Sequence, residues 1–174
     1  SLNPKPNLDD NLIIHGDNLE AIKSLSLLYS KKIKCIYIDP PYNTGKEDWI
    51  YNDNVNSPLM QNWLKQKTSI NLDDLERHDK WLCMMYPRLK ILQELLAEDG
   101  VIFISIDEHE EHHLRMLMDD IFGPENFVDK LIWDKRVPQN DAEIGNIHEY
   151  ALLYCKNKAI KKRKFKIPKD AECG

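Results

Sequence analysis

Short apolar runs alternate with amphipathic stretches along this chain, and the alternation predicts strands and helices in turn. Uninterrupted apolar runs without a two-residue period are typical of strands that are covered on both faces. The predicted strands cover 12–15, 33–38, 101–106, 127–133 and 150–155. Apolar residues at helical spacing predict three helices. The first begins at Asp17 or Asn18, the second covers 73–98 and the third covers 109–121. The order of these elements indicates an open α/β sheet.

Several polar residues follow the predicted strands directly. Gly16-Asp17-Asn18, Asp39-Pro40-Pro41-Tyr42 and Asp107 each come after an apolar run. In open α/β sheets, ligands bind at the carboxyl ends of the strands, so we expect these residues to face one crevice. Residues 43–72 show no period and are rich in Asn, Asp, Ser and Trp, which predicts a long functional loop.

Composition and charge narrow the function classes. The 174 residues, 42% of them hydrophobic, are enough for one domain with a real core. The net charge of −5 argues against a simple nucleic-acid binder. However, residues 156–166 contain six lysines and one arginine. This stretch is either a solvated basic loop or a strip that faces phosphates. The sequence has no apolar run long enough for a transmembrane helix, no signal peptide and no phosphate-binding loop for ATP.

Cysteines and histidines give little support for a metal site. Cys35, Cys83, Cys155 and Cys173 form no Cys-x-x-Cys pair, so neither zinc nor a disulfide framework is indicated. Three of them lie in apolar runs and are expected to be buried reduced thiols, which favours a cytoplasmic location. His109 and His113 have spacing for a shared metal, but the surrounding glutamates favour a solvated helix start. His15 is expected to be a hydrogen-bonded core residue.

The tetrapeptide Asp39-Pro40-Pro41-Tyr42 offers specific chemistry. It presents a carboxylate, the free carbonyl of Pro40 and an aromatic face on a backbone whose φ angles are fixed by proline. Two acceptors around an exocyclic amine would free its delocalised lone pair for in-line attack, and Tyr42 could stack on a base extruded from the duplex. Taken alone, however, the same residues are compatible with an ordinary turn that ends a strand.

The surrounding residues resemble a known family. Asp39-Pro40-Pro41-Tyr42-Asn43-Thr44-Gly45, about twenty residues after Gly16-Asp17-Asn18-Leu19, is similar to the motif of DNA amino-methyltransferases, above all β-group adenine-N6 enzymes and type III modification (Mod) subunits. Further blocks of likeness are 49–53, 78–82, 85–89, 99–107 and, more weakly, 133–135 and 148–150. The resemblance implies part of a Rossmann-like, three-layer α/β/α sheet that uses S-adenosylmethionine.

The resemblance also implies a role for each motif residue. Asp39, Pro40, Pro41 and Tyr42 would be catalytic, with Asp39 and the Pro40 carbonyl holding the adenine N6 amine. Tyr42 would stack on the flipped adenine. Asp39 and Pro40 would also border the cofactor. Asp17 would contact the adenine of the cofactor, with the backbone of Asn18 beside it.

DNA and protein partners follow from the same likeness. Double-stranded DNA with a flipped target adenine would be the substrate, and the loop at 43–72 would close over it. The candidate DNA contacts are Asn43, Lys135, Asn140, Lys161, Lys162 and Arg163. A restriction subunit and a second copy of the full-length protein are expected as protein partners, and no membrane is expected.

One family block is missing from these residues. The Phe-x-Gly-x-Gly block that cradles the cofactor methionine is absent, and in the β group it follows the target-recognition region. We therefore expect an N-terminal fragment with an arm at 1–10, a partial catalytic domain at 11–157 and a basic segment at 158–174. Such a fragment would bind S-adenosylmethionine weakly or not at all and would be inactive alone.

Two alternative functions remain open at this point. The chain could be a catalytically incompetent DNA-docking or assembly piece that keeps the motif. It could also methylate another amine: cytosine N4 in DNA, an RNA adenine or a protein glutamine. Asp39 at the first motif position favours adenine N6, because cytosine-N4 enzymes usually have Ser there and glutamine enzymes Asn.

Overall fold

The computed structural model describes residues 11–44, 72–134 and 148–160. The elements are α1 (Asn18–Tyr29), β1 (Ile33–Ile38), α2 (Leu72–Leu95), β2 (Leu96–Ile106), α3 (Glu111–Phe122), a 3₁₀ turn (Pro124–Asn126), β3 (Phe127–Asp134) and β4 (His148–Cys155). The predicted helices and four of the five predicted strands are present, with ends shifted by a few residues.

The four strands form one mixed sheet in the order β1-β2-β4-β3. β1 and β2 are parallel, and β4 is antiparallel to both β2 and β3. Parallel neighbours need a long crossover, and α2 supplies it between β1 and β2. The α/β class predicted from the order of elements is confirmed, and the carboxyl ends of β1 and β2 lie at the same edge.

The core lies between the helices and one face of the sheet. Ile102, Ile104 and Ile106 alternate along β2, are fully buried, and belong to one apolar cluster with residues of α2 and α3. Residues on the other face of the sheet are more open, and Tyr37 of β1 is 64% exposed. The described residues therefore form two layers, and the second helical layer of the predicted three-layer arrangement is not among them.

α2 continues into β2 without an intervening residue. Asp99-Gly100 follows the predicted helix over 73–98 and lies inside β2, where the register jumps from Ile33–Leu96 to Cys35–Val101. A Cβ on Gly100 would stand 2.9 Å from the carbonyl oxygens of both Ala97 and Ile33. The glycine is required for close backbone approach within an irregular strand, and the helix ends five residues before it.

The predicted strand at 12–15 is wrong. Residues 11–15 adopt no regular structure, and the Ile13 side chain is 99% exposed. A strand needs a hydrogen-bonding neighbour, and within the described residues β1 pairs with β2 alone. His15 is exposed, so its expected place in the core is also wrong.

The cysteine prediction holds for one of the three described thiols. Cys155 is buried, whereas Cys35 and Cys83 are exposed. Cys35 alternates with the inward-facing Ile36 on β1, so its side chain lies on the open face of the sheet. Among the described helices, none is both long and apolar enough to span a membrane.

Candidate active site

The tetrapeptide lies directly after β1, at the predicted sheet edge. The Tyr42 hydroxyl donates a hydrogen bond of 3.0 Å to Asp39 Oδ1. Burial, and then this bond to the carboxylate, raise the pKa of the Tyr42 phenol well above its usual value. Tyr42 therefore stays protonated and holds the side chain of Asp39, while Asp39 itself remains exposed.

Trp81 of α2 anchors the backbone of the tetrapeptide. Its Nε1 donates a hydrogen bond of 2.7 Å to the carbonyl oxygen of Pro41, and the indole is fully buried. Trp81 also belongs to the apolar core, and the spacing of apolar residues along the helix could not show its bond to Pro41. The bond uses the carbonyl of Pro41, not the neighbouring carbonyl of Pro40 that is expected to receive the target amine.

Asn43 follows the tetrapeptide and points into the protein. It is fully buried with a φ of 60°, a left-handed conformation that Asn tolerates better than most residues. Its Nδ2 donates to Glu110 Oε1 and, over 3.4 Å, to the carbonyl of Arg77. The DNA contact predicted for Asn43 would require this side chain to leave its buried position.

Glu110 is the centre of a buried polar cluster that the sequence did not reveal. Its carboxylate is fully buried and accepts hydrogen bonds from His78 Nδ1 at 2.6 Å and His113 Nδ1 at 2.8 Å. The expected solvated helix start is therefore wrong for Glu110 and His113, although Glu108 and His112 are exposed as expected. His78 lies 32 residues from Glu110 in sequence, so no local pattern could have joined them.

The cluster has donor groups that metals use. One ligand atom each from His78, Glu110 and His113 lies within 4.8 Å of the other two. The nitrogen–oxygen separations of 2.6 and 2.8 Å, however, are those of direct hydrogen bonds to a carboxylate. The contacts within this cluster are therefore those of a hydrogen-bonded network.

Asp107 lies at the same sheet edge as Asp39. The two residues follow the neighbouring parallel strands β1 and β2, as the sequence predicts. Asp107 accepts hydrogen bonds from the backbone N–H and from Nδ1 of His109, at 3.0 and 2.9 Å. It therefore shapes the turn into α3 at this edge.

The two candidate cofactor residues of the N-terminal part lie at the start of α1. Asp17 caps the helix, as predicted, by accepting hydrogen bonds from the N–H groups of Leu19 and Glu20. Asn18 Oδ1 accepts a hydrogen bond of 2.8 Å from Arg88 Nε of α2. This bond attaches the start of α1 to the helix that also carries Trp81.

Most candidate DNA-binding residues lie outside the described part of the chain: Lys135, Asn140, Lys161, Lys162 and Arg163. Lys156 and Lys158, at the start of the lysine-rich stretch 156–166, are described and contact the protein. Lys156 Nζ donates to the carbonyl of Gln93, and burial lowers the pKa of this lysine. Lys158 Nζ donates to the carbonyl of Phe127.

The identity of the chain follows from comparison with known proteins. Residues 33–174 match the model of the family described as DNA methylase. This chain belongs to the DNA methylase family. The Mod subunit of the type III restriction-modification enzyme EcoP15I of Escherichia coli is 44% identical over 158 residues, which are 84% of this chain and 24% of that protein. The EcoPI Mod subunit of Escherichia phage P1 is 44% identical over 163 residues, 86% of this chain and 25% of that protein.

These relatives confirm the resemblance predicted from the motif blocks. The chain spans about a quarter of the length of the curated relatives that it matches. Among solved structures, M1.HpyAVI superposes with a TM-score of 0.53 at 17% identity, covering 91% of this chain and 60% of that one. Its complex with S-adenosylmethionine gives a TM-score of 0.50 at 19% identity, with 92% and 60% covered. At this identity the likeness shows the methyltransferase fold alone.

Proposed function

We propose that this segment supplies the target-base side of a site-specific DNA methyltransferase, the modification subunit of a restriction-modification system, which methylates adenine N6. The observation that carries the proposal is the tetrapeptide itself. Asp39-Pro40-Pro41-Tyr42 lies at the carboxyl end of β1 in a DNA methylase chain, with its backbone held by Trp81 and its carboxylate by Tyr42. Asp at the first position favours adenine N6 over cytosine N4.

The chemistry needs acceptors around a weak nucleophile. The lone pair of an adenine amine is delocalised into the ring, and hydrogen bonds from its two N–H groups favour the pyramidal form. The Asp39 carboxylate and the Pro40 carbonyl are the proposed acceptors. S-adenosylmethionine, when bound, supplies the methyl group: the N–C bond forms as the S–C bond breaks, S-adenosylhomocysteine leaves, and the amine releases one proton.

The start of α1 fits a contact with the cofactor. Asp17 is exposed, while its carboxylate is oriented by two backbone N–H groups, and Asn18 is oriented by Arg88. An oriented carboxylate suits the hydroxyl and amine groups of adenosine as hydrogen-bond donors. We assign contacts with the adenosine of S-adenosylmethionine to Asp17 and Asn18. Asp39 and Pro40 are proposed to border the cofactor site.

DNA would approach the same sheet edge. The Tyr42 ring is proposed to stack on the extruded adenine, a step that costs unstacking energy and needs an aromatic surface. Phosphate and groove contacts are assigned to Lys135, Asn140, Lys161, Lys162 and Arg163, whereas the DNA contact predicted for Asn43 is not proposed, because this side chain is buried against Glu110. A restriction subunit and a second copy of the full-length protein are the proposed protein partners.

The experiment measures methyl transfer by a full-length protein that carries this segment. Purified protein, labelled S-adenosylmethionine and DNA should give N6-methyladenine when the digested nucleosides are analysed by mass spectrometry. Asp39→Ala should lower turnover about 100-fold or more, because it removes an oriented acceptor. Asp120→Ala, an exposed carboxylate on α3, is the matched control and should retain wild-type turnover.

The product distinguishes the competing functions. Detection of N4-methylcytosine would show that the target base is cytosine and not adenine. The complete lack of methylated nucleosides would favour the DNA-docking alternative. Full activity of the Asp39→Ala variant would contradict the catalytic assignment of this residue.

A further inference from the structure

We propose that Glu110 is a positioning residue for methyl transfer, which acts through Asn43 and is itself held by His78 and His113. The inference rests on the proposed function, because the segment it positions is the tetrapeptide that ends at Tyr42. Glu110 touches neither Asp39 nor Tyr42 in the described contacts. Its effect on the reaction is therefore through the backbone of the active-site segment.

Three separate elements meet at this carboxylate. Asn43 comes from the segment after β1, His78 from α2, and Glu110 and His113 from the start of α3. Glu110 is the N-cap residue of α3, yet its side chain makes no capping bond and turns inward. A fully buried carboxylate is stable only when it is hydrogen-bonded and paired, and here both oxygens accept bonds.

The cluster and Trp81 fix the backbone on both sides of Tyr42. The carbonyl of Pro41, just before Tyr42, accepts from Trp81, and the side chain of Asn43, just after it, donates to Glu110. His78 and Trp81 are three residues apart on α2, so both contacts come from one face of that helix. The ring of Tyr42 and its bond to Asp39 are thus held between two fixed points.

Asn43 is the residue that transmits this restraint. It occupies a left-handed conformation, and its Oδ1 is buried without a hydrogen-bond partner among the described residues. Both features cost free energy, so a counterbalancing interaction must hold the residue in place. The bond from Nδ2 to Glu110 is that interaction. Without Glu110, Asn43 loses its charged acceptor and the segment gains access to other conformations.

The ring nitrogens that face Glu110 are Nδ1 in both histidines. An imidazole that donates to the carboxylate does so through an N–H at Nδ1. A metal ion bound at this cluster would take lone pairs of the carboxylate and of a ring nitrogen of each histidine. A metal held at the two Nδ1 atoms would displace their hydrogen bonds to Glu110.

The test uses a full-length protein that carries this segment, with the variants Glu110→Gln and Glu110→Ala. Glu108→Gln and Glu108→Ala, two residues away on the exposed surface, are the matched controls. Both Glu110 variants should lower kcat, by about 100-fold for Ala, since a displacement near 1 Å can cost that much. The KM for S-adenosylmethionine should change less than about threefold, and Gln, which keeps the shape, should retain more turnover than Ala.

A second readout is independent of activity. Hydrogen–deuterium exchange of the peptide that covers 39–44 should accelerate in the Glu110 variants and stay at the wild-type rate in the Glu108 variants. Unchanged exchange and unchanged kcat in Glu110→Gln and Glu110→Ala would overturn the proposal. A stoichiometric metal ion, whose removal by a chelator abolishes activity and whose return restores it, would overturn it as well. A wild-type protein that methylates no DNA would refute the proposed function, while the exchange measurement would still decide whether Glu110 holds the segment.

Discussion

Trp81 Nε1 lies 2.7 Å from the carbonyl oxygen of Pro41 and joins the long helix α2 to the active-site segment. The bond gives a buried indole N–H its partner and occupies one of the two lone pairs of the Pro41 carbonyl. The carbonyl of Pro40 is left for the proposed contact with the target amine. Trp81 thus both packs in the core and holds the backbone of the tetrapeptide.

Replacing Trp81 should destabilise the chain. Trp81→Phe keeps an aromatic ring but leaves the carbonyl of Pro41 without its donor, which costs about 1–3 kcal/mol in a buried setting. Urea unfolding followed by circular dichroism gives the free energy. Trp133→Phe is the matched control, since Trp133 is 71% exposed on β3, and should change stability by about 0.5 kcal/mol or less. Equal effects of the two substitutions would contradict the role of the bond.

The raised pKa of the Tyr42 phenol predicts that the free energy of unfolding depends on pH. Its folded-state pKa is raised above the ordinary value of 10.0, first by burial and then by its bond to Asp39. The unfolded phenol therefore ionises first, so this contribution is fully present below pH 10 and is lost as the pH rises further. The free energy of unfolding should fall more steeply above pH 10 in the wild type than in Tyr42→Phe. Tyr154 contributes with the same sign in both proteins and cancels in the difference. Parallel pH profiles would contradict the prediction.

Gly100 should not tolerate a side chain. A methyl group there would meet the carbonyl oxygens of Ala97 and Ile33 at 2.9 Å, and both belong to backbone that cannot move independently. Gly100→Ala should cost about 1–3 kcal/mol through overpacking. Glu98→Ala, an exposed position in the same strand, serves as the comparison and should be close to neutral. Thermal melts of both variants decide, and a neutral Gly100→Ala would show that the approach of β1 and β2 can relax.

The thiols should react with iodoacetamide in a defined order. Cys35 and Cys83 are exposed and Cys155 is buried, so Cys155 should be protected until the protein unfolds. Burial, and then the charge of Asp79, raise the pKa of Cys83, so its thiolate fraction near pH 8 is smaller than that of an ordinary cysteine. Cys35 should be modified first, and Cys83 should gain rate as the pH rises. Mass spectrometry of digests in a Cys173→Ser background gives each rate, and early labelling of Cys155 would contradict the buried assignment.

Features fixed by neighbouring residues could be predicted from the sequence. Asp17 caps α1 because a carboxylate at that position meets the free N–H groups of the first turn, whatever the rest of the fold does. The position of Asp39 at the end of β1 follows from the apolar run before it and from two prolines that cannot continue a ladder. The parallel pair β1 and β2 follows from the helix between them.

Features fixed by distant residues could not be predicted in this way. Glu110 lies in a run of charged residues typical of a surface, and it is buried because Asn43 and His78, 67 and 32 residues away, bind it. The strand predicted at 12–15 is wrong for the opposite reason. The composition of this run suits a strand, but no described strand lies beside it. Burial of a polar residue and exposure of an apolar one both depend on partners that periodicity does not report.

The junction at Leu95 and Leu96 makes the chain sensitive to insertions. One extra residue there would turn α2 by about 100° relative to β2, because a helix has about 3.6 residues per turn. Trp81 and His78 would then face away from Pro41 and Glu110, although neither would have been mutated. An insertion or deletion at this point should therefore disturb the active-site segment, and a graft of this segment into another protein should keep α2 and β2 as one unbroken unit.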